Sequence, residues 1–185
     1  MPCRVCSIRA LVVVADTGFM LKAFDLSVGI FVRGLTNLKT LLTKAEAHAA
    51  SQCVDAGSLL TAQLAGDMND LAAQVHWAAE GSKLAVGRLL GTTSTPLAAE
   101  AKSFAELHER IDAAIVALGA VDADLVEAGL ARTITLPYPG GSKEFSGDHF
   151  LTEFAIPNFF FHLTTAYAIL RHYGVPLRKG DFMGG

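Results

Sequence analysis

Cysteine is scarce in this chain of 185 residues, and the three present, Cys3, Cys6 and Cys53, leave one over in any paired set. That argues against a disulfide-stapled secreted scaffold and for a reducing, cytoplasmic setting. Clustered basic residues are also missing. Fifteen Lys and Arg against eighteen Asp and Glu give a net charge of -3, so the electrostatic footprint of a nucleic-acid binder is absent. No run approaches the roughly 20 consecutive apolar residues of a membrane span. No Gly-rich phosphate loop follows a strand, and Gly140-Gly141 reads as a turn.

What is present is an apolar fraction of 51%, rich in Ala and Leu and patterned at three- and four-residue steps. The length suits one domain with a full core. Residues 1–19 read unlike the rest. Arg4 and Arg9 precede an apolar run, Leu11 to Ala15, that Asp16 ends before it reaches the length of a leader's apolar region. Met20 then stands directly before helix-bearing sequence, so 1–19 is expected to be a wrongly assigned or disordered extension and 20–185 the domain. The Cys3-x-x-Cys6 spacing, without a second pair, reads as chance.

The strongest pattern lies near the C-terminus. From Ser146, the expected N-cap, to Gly174, the apolar positions Leu151, Phe154, Ala155, Phe159, Ala166, Ile169 and Tyr173 mark one face of a long helix. Asn158 and His162 interrupt that face one turn apart, and buried polar groups of this kind need partners. Pro157 removes an amide donor and is expected to kink the helix.

Three further helices are expected upstream. The first runs from an N-cap at Ser27 to about Ala50 on the stripe Val28, Phe31, Leu35, Leu38, Leu42, Ala45 and Ala49, with Gly34 marking a close approach by another backbone. A short helical segment at 58–64 precedes the second, 68–90, with Asp67 as N-cap, Gln74 at the edge of its inner face and Gly91 as its stop. His76 and Trp77 fall on its flank and read as surface or interface residues. The third carries a capping box, Ser103 and Glu106, and the stripe Phe104, Leu107, Ile111, Ile115 and Leu118, with His108, Glu109 and Arg110 on a solvated face. Thr133 to Leu136 alternates as a strand, Pro139-Gly140-Gly141 turns, and Ser142 to Phe145 returns. The tail after Gly174 has no period.

The fold expected is therefore all-α, an antiparallel four-helix bundle with a small β-hairpin inserted before the last helix. The inward polar residues Gln74, Asn158, His162 and Thr165 are the candidate pocket. One imidazole with two amides and a hydroxyl is a poor set for zinc, whose protein sites use three or four His, Cys or carboxylate ligands.

The last helix, SGDHFLTEFAIPNFFFHLTTAYAILRHYGV, together with the first, FVRGLTNLKTLLTKAEAHA, resembles a bacterial family of unassigned function placed near the DinB/YfiT-like four-helix bundles. The resemblance covers most of the chain from Met20 onward. It implies a DinB-like bundle, and the wider superfamily resembles metalloenzymes, with a histidine on the second helix and an H-x-x-x-H pair on the last. Laid on this chain, those positions fall near Gln74 and on Asn158 and His162, so one of the three imidazoles remains.

Two readings from different classes follow. In the first, a cytoplasmic, dimeric bundle protein with a degenerate metal site uses Asn158 and His162 to line a pocket for a small molecule. In the second, a metal-dependent enzyme of the thiol-transferase type holds zinc or nickel through His162, with His48, His76 or Asp67 completing the site. A third, an interaction module using an apolar surface near Trp77 and the hairpin, is left open by the residues.

Overall fold

The computed structural model describes residues 21–93, 95–97 and 100–185. The expectations for 1–19, including the Cys3–Cys6 pair, lie outside these residues. The chain is helical from Ala23, and a π-helical turn, Asp25–Gly29, leads into α1 (Ile30–Gln52). Ser27 is therefore inside the helix instead of capping it. Fully buried, its hydroxyl donates back to the Ala23 carbonyl at 2.6 Å, which satisfies a group that has no access to water. The stripe of Phe31, Leu35, Leu38, Leu42, Ala45 and Ala49 is buried as its spacing requires, joined by Leu41. Cys53 ends α1 in the left-handed conformation, and the Val54 amide donates to the Ala49 carbonyl at 3.0 Å.

After α2 (Ala56–Leu60) comes α3 (Leu71–Leu90). It starts one turn later than Asp67 implied. The Met68 amide is used in a turn to the Ala65 carbonyl, and the Asp70 carboxylate accepts from the Ala73 amide at 2.8 Å. Next follow α4 (Phe104–Gly119) and α5 (Ala123–Gly129). Ser103 caps α4 as expected, accepting from the Glu106 amide at 3.2 Å, while the Glu106 carboxylate reaches one residue further, to the Lys102 amide.

The hairpin pairs β1 (Thr133–Tyr138) with β2 (Gly141–Ser146), Ile134 opposite Phe145 and Leu136 opposite Lys143. Ile134 and Leu136 point into the core, and Phe145 meets Phe150 and Phe154 with ring centroids 6.4 Å apart in each case. The last helix is continuous but composite. It begins as α6 (Gly147–His149), widens through a π-helical segment, Phe150–Ala155, and continues as α7 (Ile156–His172). A π-helical segment ends just before Pro157, where the sequence predicted a kink. A short α8 (Lys179–Met183) occupies the tail that showed no period.

The long helices α1, α4, α3 and α7 neighbour one another in that order around the bundle, closing with α7 on α1. Their directions are not simply alternating. Gln74 meets His162 and Gly81 meets Asn158, so α3 and α7 are antiparallel; Lys39 with Asp112 and Glu46 with His108 make α1 and α4 antiparallel. Gly34 beside Phe159 and His48 beside Gly174 make α1 and α7 parallel. The C-terminal ends of α3 and α4 lie together, Leu90 with Leu118 and Val121, so this pair is also parallel. The expected antiparallel plan is corrected to up-down-down-up, which demands a crossover running the length of the bundle between Gly91 and Ser103. Charged side chains strap that crossover down. The Glu80 carboxylate accepts from the Leu97 amide at 2.9 Å, the Lys83 ammonium donates to the Thr95 carbonyl at 2.7 Å, and Arg110, buried instead of solvated, donates to the Glu100 carbonyl at 2.6 Å. No described helix is long and apolar enough to cross a membrane.

Candidate functional site

Trp77, Gly81, Leu84 and Arg88 recur at steps of four, three and four along α3, so they form one stripe. Phe154, Asn158 and His162 do the same on the last helix. These stripes face each other across a cavity of about 440 Å³. Gly81 faces Asn158 across it: a Cβ there would stand 3.4 Å from the Asn158 amide nitrogen, in van der Waals contact.

At one end of the cavity a short relay fixes the imidazole. Gln74, 1% exposed, donates through Nε2 to the Asn69 carbonyl at 3.1 Å, which turns its Oε1 toward His162. That oxygen only accepts, so the 2.8 Å contact to His162 Nδ1 requires the proton on Nδ1. Nε2 is left as an acceptor on a side chain that lines the cavity. Burial pushes the imidazole's pKa below its ordinary 6.5, so the ring is neutral at neutral pH.

Asn158 stands one turn from His162 on the same wall, half-buried, and among the described residues its amide has no hydrogen-bond partner. Arg88 closes the other end. A second cavity of about 370 Å³ shares Arg88 and Phe154 with the first and continues under the hairpin past Tyr138, Lys143 and Phe145. The two make one groove.

Of the residues expected at the site, Gln74 and His162 are bonded and Asn158 adjoins them. Thr165 is not brought in: it is buried, and its hydroxyl donates to the Phe161 carbonyl at 2.7 Å. His48 lies beside Gly174, twelve residues beyond His162 on the last helix and so about 18 Å along it. Asp67 is exposed in the turn before α3. His76, expected at the surface or an interface, is 7% exposed and edge-on to Trp77 at 5.0 Å; Trp77 itself is 43% exposed. Among the described residues no three His, Cys, Asp or Glu side chains gather closely enough to hold a metal ion. Around His162 the donors are two amides, and one of them is already spent on Nδ1. These residues do not fit zinc or nickel.

A four-helix bundle with a hairpin before its last helix defines a DinB-like protein. The chain belongs to the family described as domain of unknown function (DUF1993), whose model matches residues 23–183. It is similar to a crystal structure of a DinB family member from Shewanella denitrificans, with 37% identity, a TM-score of 0.82, and coverage of 88% of this chain and 92% of that one. No curated protein matches it.

Proposed function

We propose that this protein binds a small organic molecule in the groove between α3 and the last helix, at a position where a metal site has degenerated. The observation that supports the reading is the Asn69–Gln74–His162 relay in the wall of a cavity of about 440 Å³, a volume in the range of small-molecule sites. It holds a neutral imidazole with its Nε2 ready to accept a hydrogen bond, while Asn158 offers an uncommitted amide next to it. Such groups orient a ligand carrying a hydroxyl, amine or amide. Among the described residues the lining of this cavity holds no Ser or Cys nucleophile, and its polar groups suit recognition.

The test is metal content and ligand response measured together. Protein purified without a histidine tag is expected to contain substoichiometric zinc and nickel, and the same amount in His162→Ala. Near-stoichiometric metal that disappears in His162→Ala would replace this reading with a metal-dependent enzyme.

A further inference from the structure

Arg88 is the one feature of the groove that a recognition site for neutral molecules does not need. It sits in the last turn of α3, half-buried between the two cavities, and among the described residues it makes neither an ion pair nor a hydrogen bond. Burial costs this guanidinium hydration, which lowers its pKa, and no described group compensates. Other cations of the protein with buried heads are treated differently: Lys83 is paired with Glu80 and Thr95. The surroundings of Arg88 are mostly apolar, with one ammonium and one carboxylate further under the hairpin. Phe154, 38% exposed, borders it, and the groove runs from there to Trp77, 43% exposed, at the His162 end. Lys143 lines the extension under the hairpin with its ammonium 4.3 Å from the Phe145 ring centre. Glu153, the carboxylate of that extension, is engaged by His149 at 3.3 Å.

We propose that the ligand of this groove is a free organic anion, its carboxylate or phosphate bound by Arg88 and its apolar or aromatic body running from Phe154 toward Trp77. This rests on the small-molecule reading above and specifies its substrate class. A guanidinium that is already partly desolvated loses little more water when an anion arrives, and its planar fork matches carboxylate and phosphate oxygens two at a time. The aromatic walls supply area for the body, so an inorganic anion engages only part of the site.

Two probes of one shape separate the ideas: 1-anilinonaphthalene-8-sulfonate, an anion, and N-phenyl-1-naphthylamine, its neutral counterpart. Trp77 is the single tryptophan of the chain and lines the cavity, so energy transfer from it reports binding at this place. The anion is expected to bind at least about tenfold more tightly than the neutral probe, the worth of one charge-assisted contact. Arg88→Gln should abolish that preference by weakening the anion toward the neutral probe, and Arg88→Lys should keep part of it. Gly81→Leu, or Asn158→Phe if the former does not fold by circular dichroism, should exclude both probes. Equal binding of the two probes by the wild type, or an anion preference that survives Arg88→Gln, overturns the anion proposal and leaves the pocket standing. Failure of both probes to bind, or binding that survives both cavity-filling variants, overturns the pocket reading itself.

Discussion

His162 carries a pH dependence whose sign is fixed by its burial. Its folded pKa lies below the ordinary value of 6.5, so on acidification the unfolded chain takes up the proton first. The stability this neutral imidazole contributes is complete above about pH 6.5 and is lost as the pH falls below it toward the folded pKa. The urea midpoint should therefore drop between about pH 7.5 and about pH 5.5, and the drop should shrink in His162→Gln; an unchanged drop in the variant would assign the effect elsewhere. Gly34 gives a second prediction at this scale. Its close neighbour is not a backbone, as the sequence suggested, but the Phe159 ring, whose Cε1 lies 2.6 Å from where a Cβ would stand. Gly34→Ala should thus destabilise the fold by about 1–2 kcal/mol, the overpacking cost exceeding the roughly 1 kcal/mol gained in helix propensity, where an exposed helical glycine would have gained stability. Gln74, Asn158 and His162 were legible because polar residues on an apolar stripe stand out. Arg88 was not, because an arginine in a last helical turn is already explained by the helix dipole, and only the hairpin packed over it makes it half-buried.

Among elements, the crossover between α3 and α4 shows how charge replaces packing. Its described residues are held by side chains reaching from the helices beneath, Glu80 and Lys83 from one and Arg110 from the other. Removing one member of a buried pair leaves the other charge uncompensated, so Lys83→Met should cost about 3–5 kcal/mol in chemical denaturation. It should also raise amide exchange around Leu97, whose N–H depends on the Glu80 carboxylate. A cost below about 1 kcal/mol would mean that the strap is ornamental. The long helices could be read from period and caps alone, since each buries a continuous stripe. The short α8 could not, because its stability is tertiary. Its carbonyl at Phe182 accepts from Asn37 at 3.0 Å, its Asp181 pairs with Lys44, and the Phe182 ring lies 5.6 Å from Tyr167. None of those partners is near it in sequence.

For the whole molecule, helix direction was the least legible property. Period and capping say where a helix runs but not which way, and the order up-down-down-up is decided by a crossover whose straps are scattered over α3 and α4. That topology ties distant parts of the chain into one contiguous apolar cluster: Phe31 and Leu38 of α1, Leu71 and Leu89 of α3, Ile111 of α4, Ile134 of the hairpin, Phe159 of α7 and Leu177 of the tail all belong to it. Parts that share one core lose it together, so the chain from Met20 onward should unfold as a unit. Trp77 reports from the groove, while far-UV circular dichroism reports from all helices at once, and the two urea transitions should coincide in midpoint and slope. The hairpin is the element that could break this behaviour, being only marginally stable by itself and bound through Ile134, Leu136 and the Phe145–Phe150–Phe154 contacts. Amide exchange across β1 and β2 at lower urea than both transitions would show the hairpin end opening before the bundle melts. The groove would then lose its Lys143 wall while the His162 relay survived, and anion preference would decay at lower urea than neutral binding.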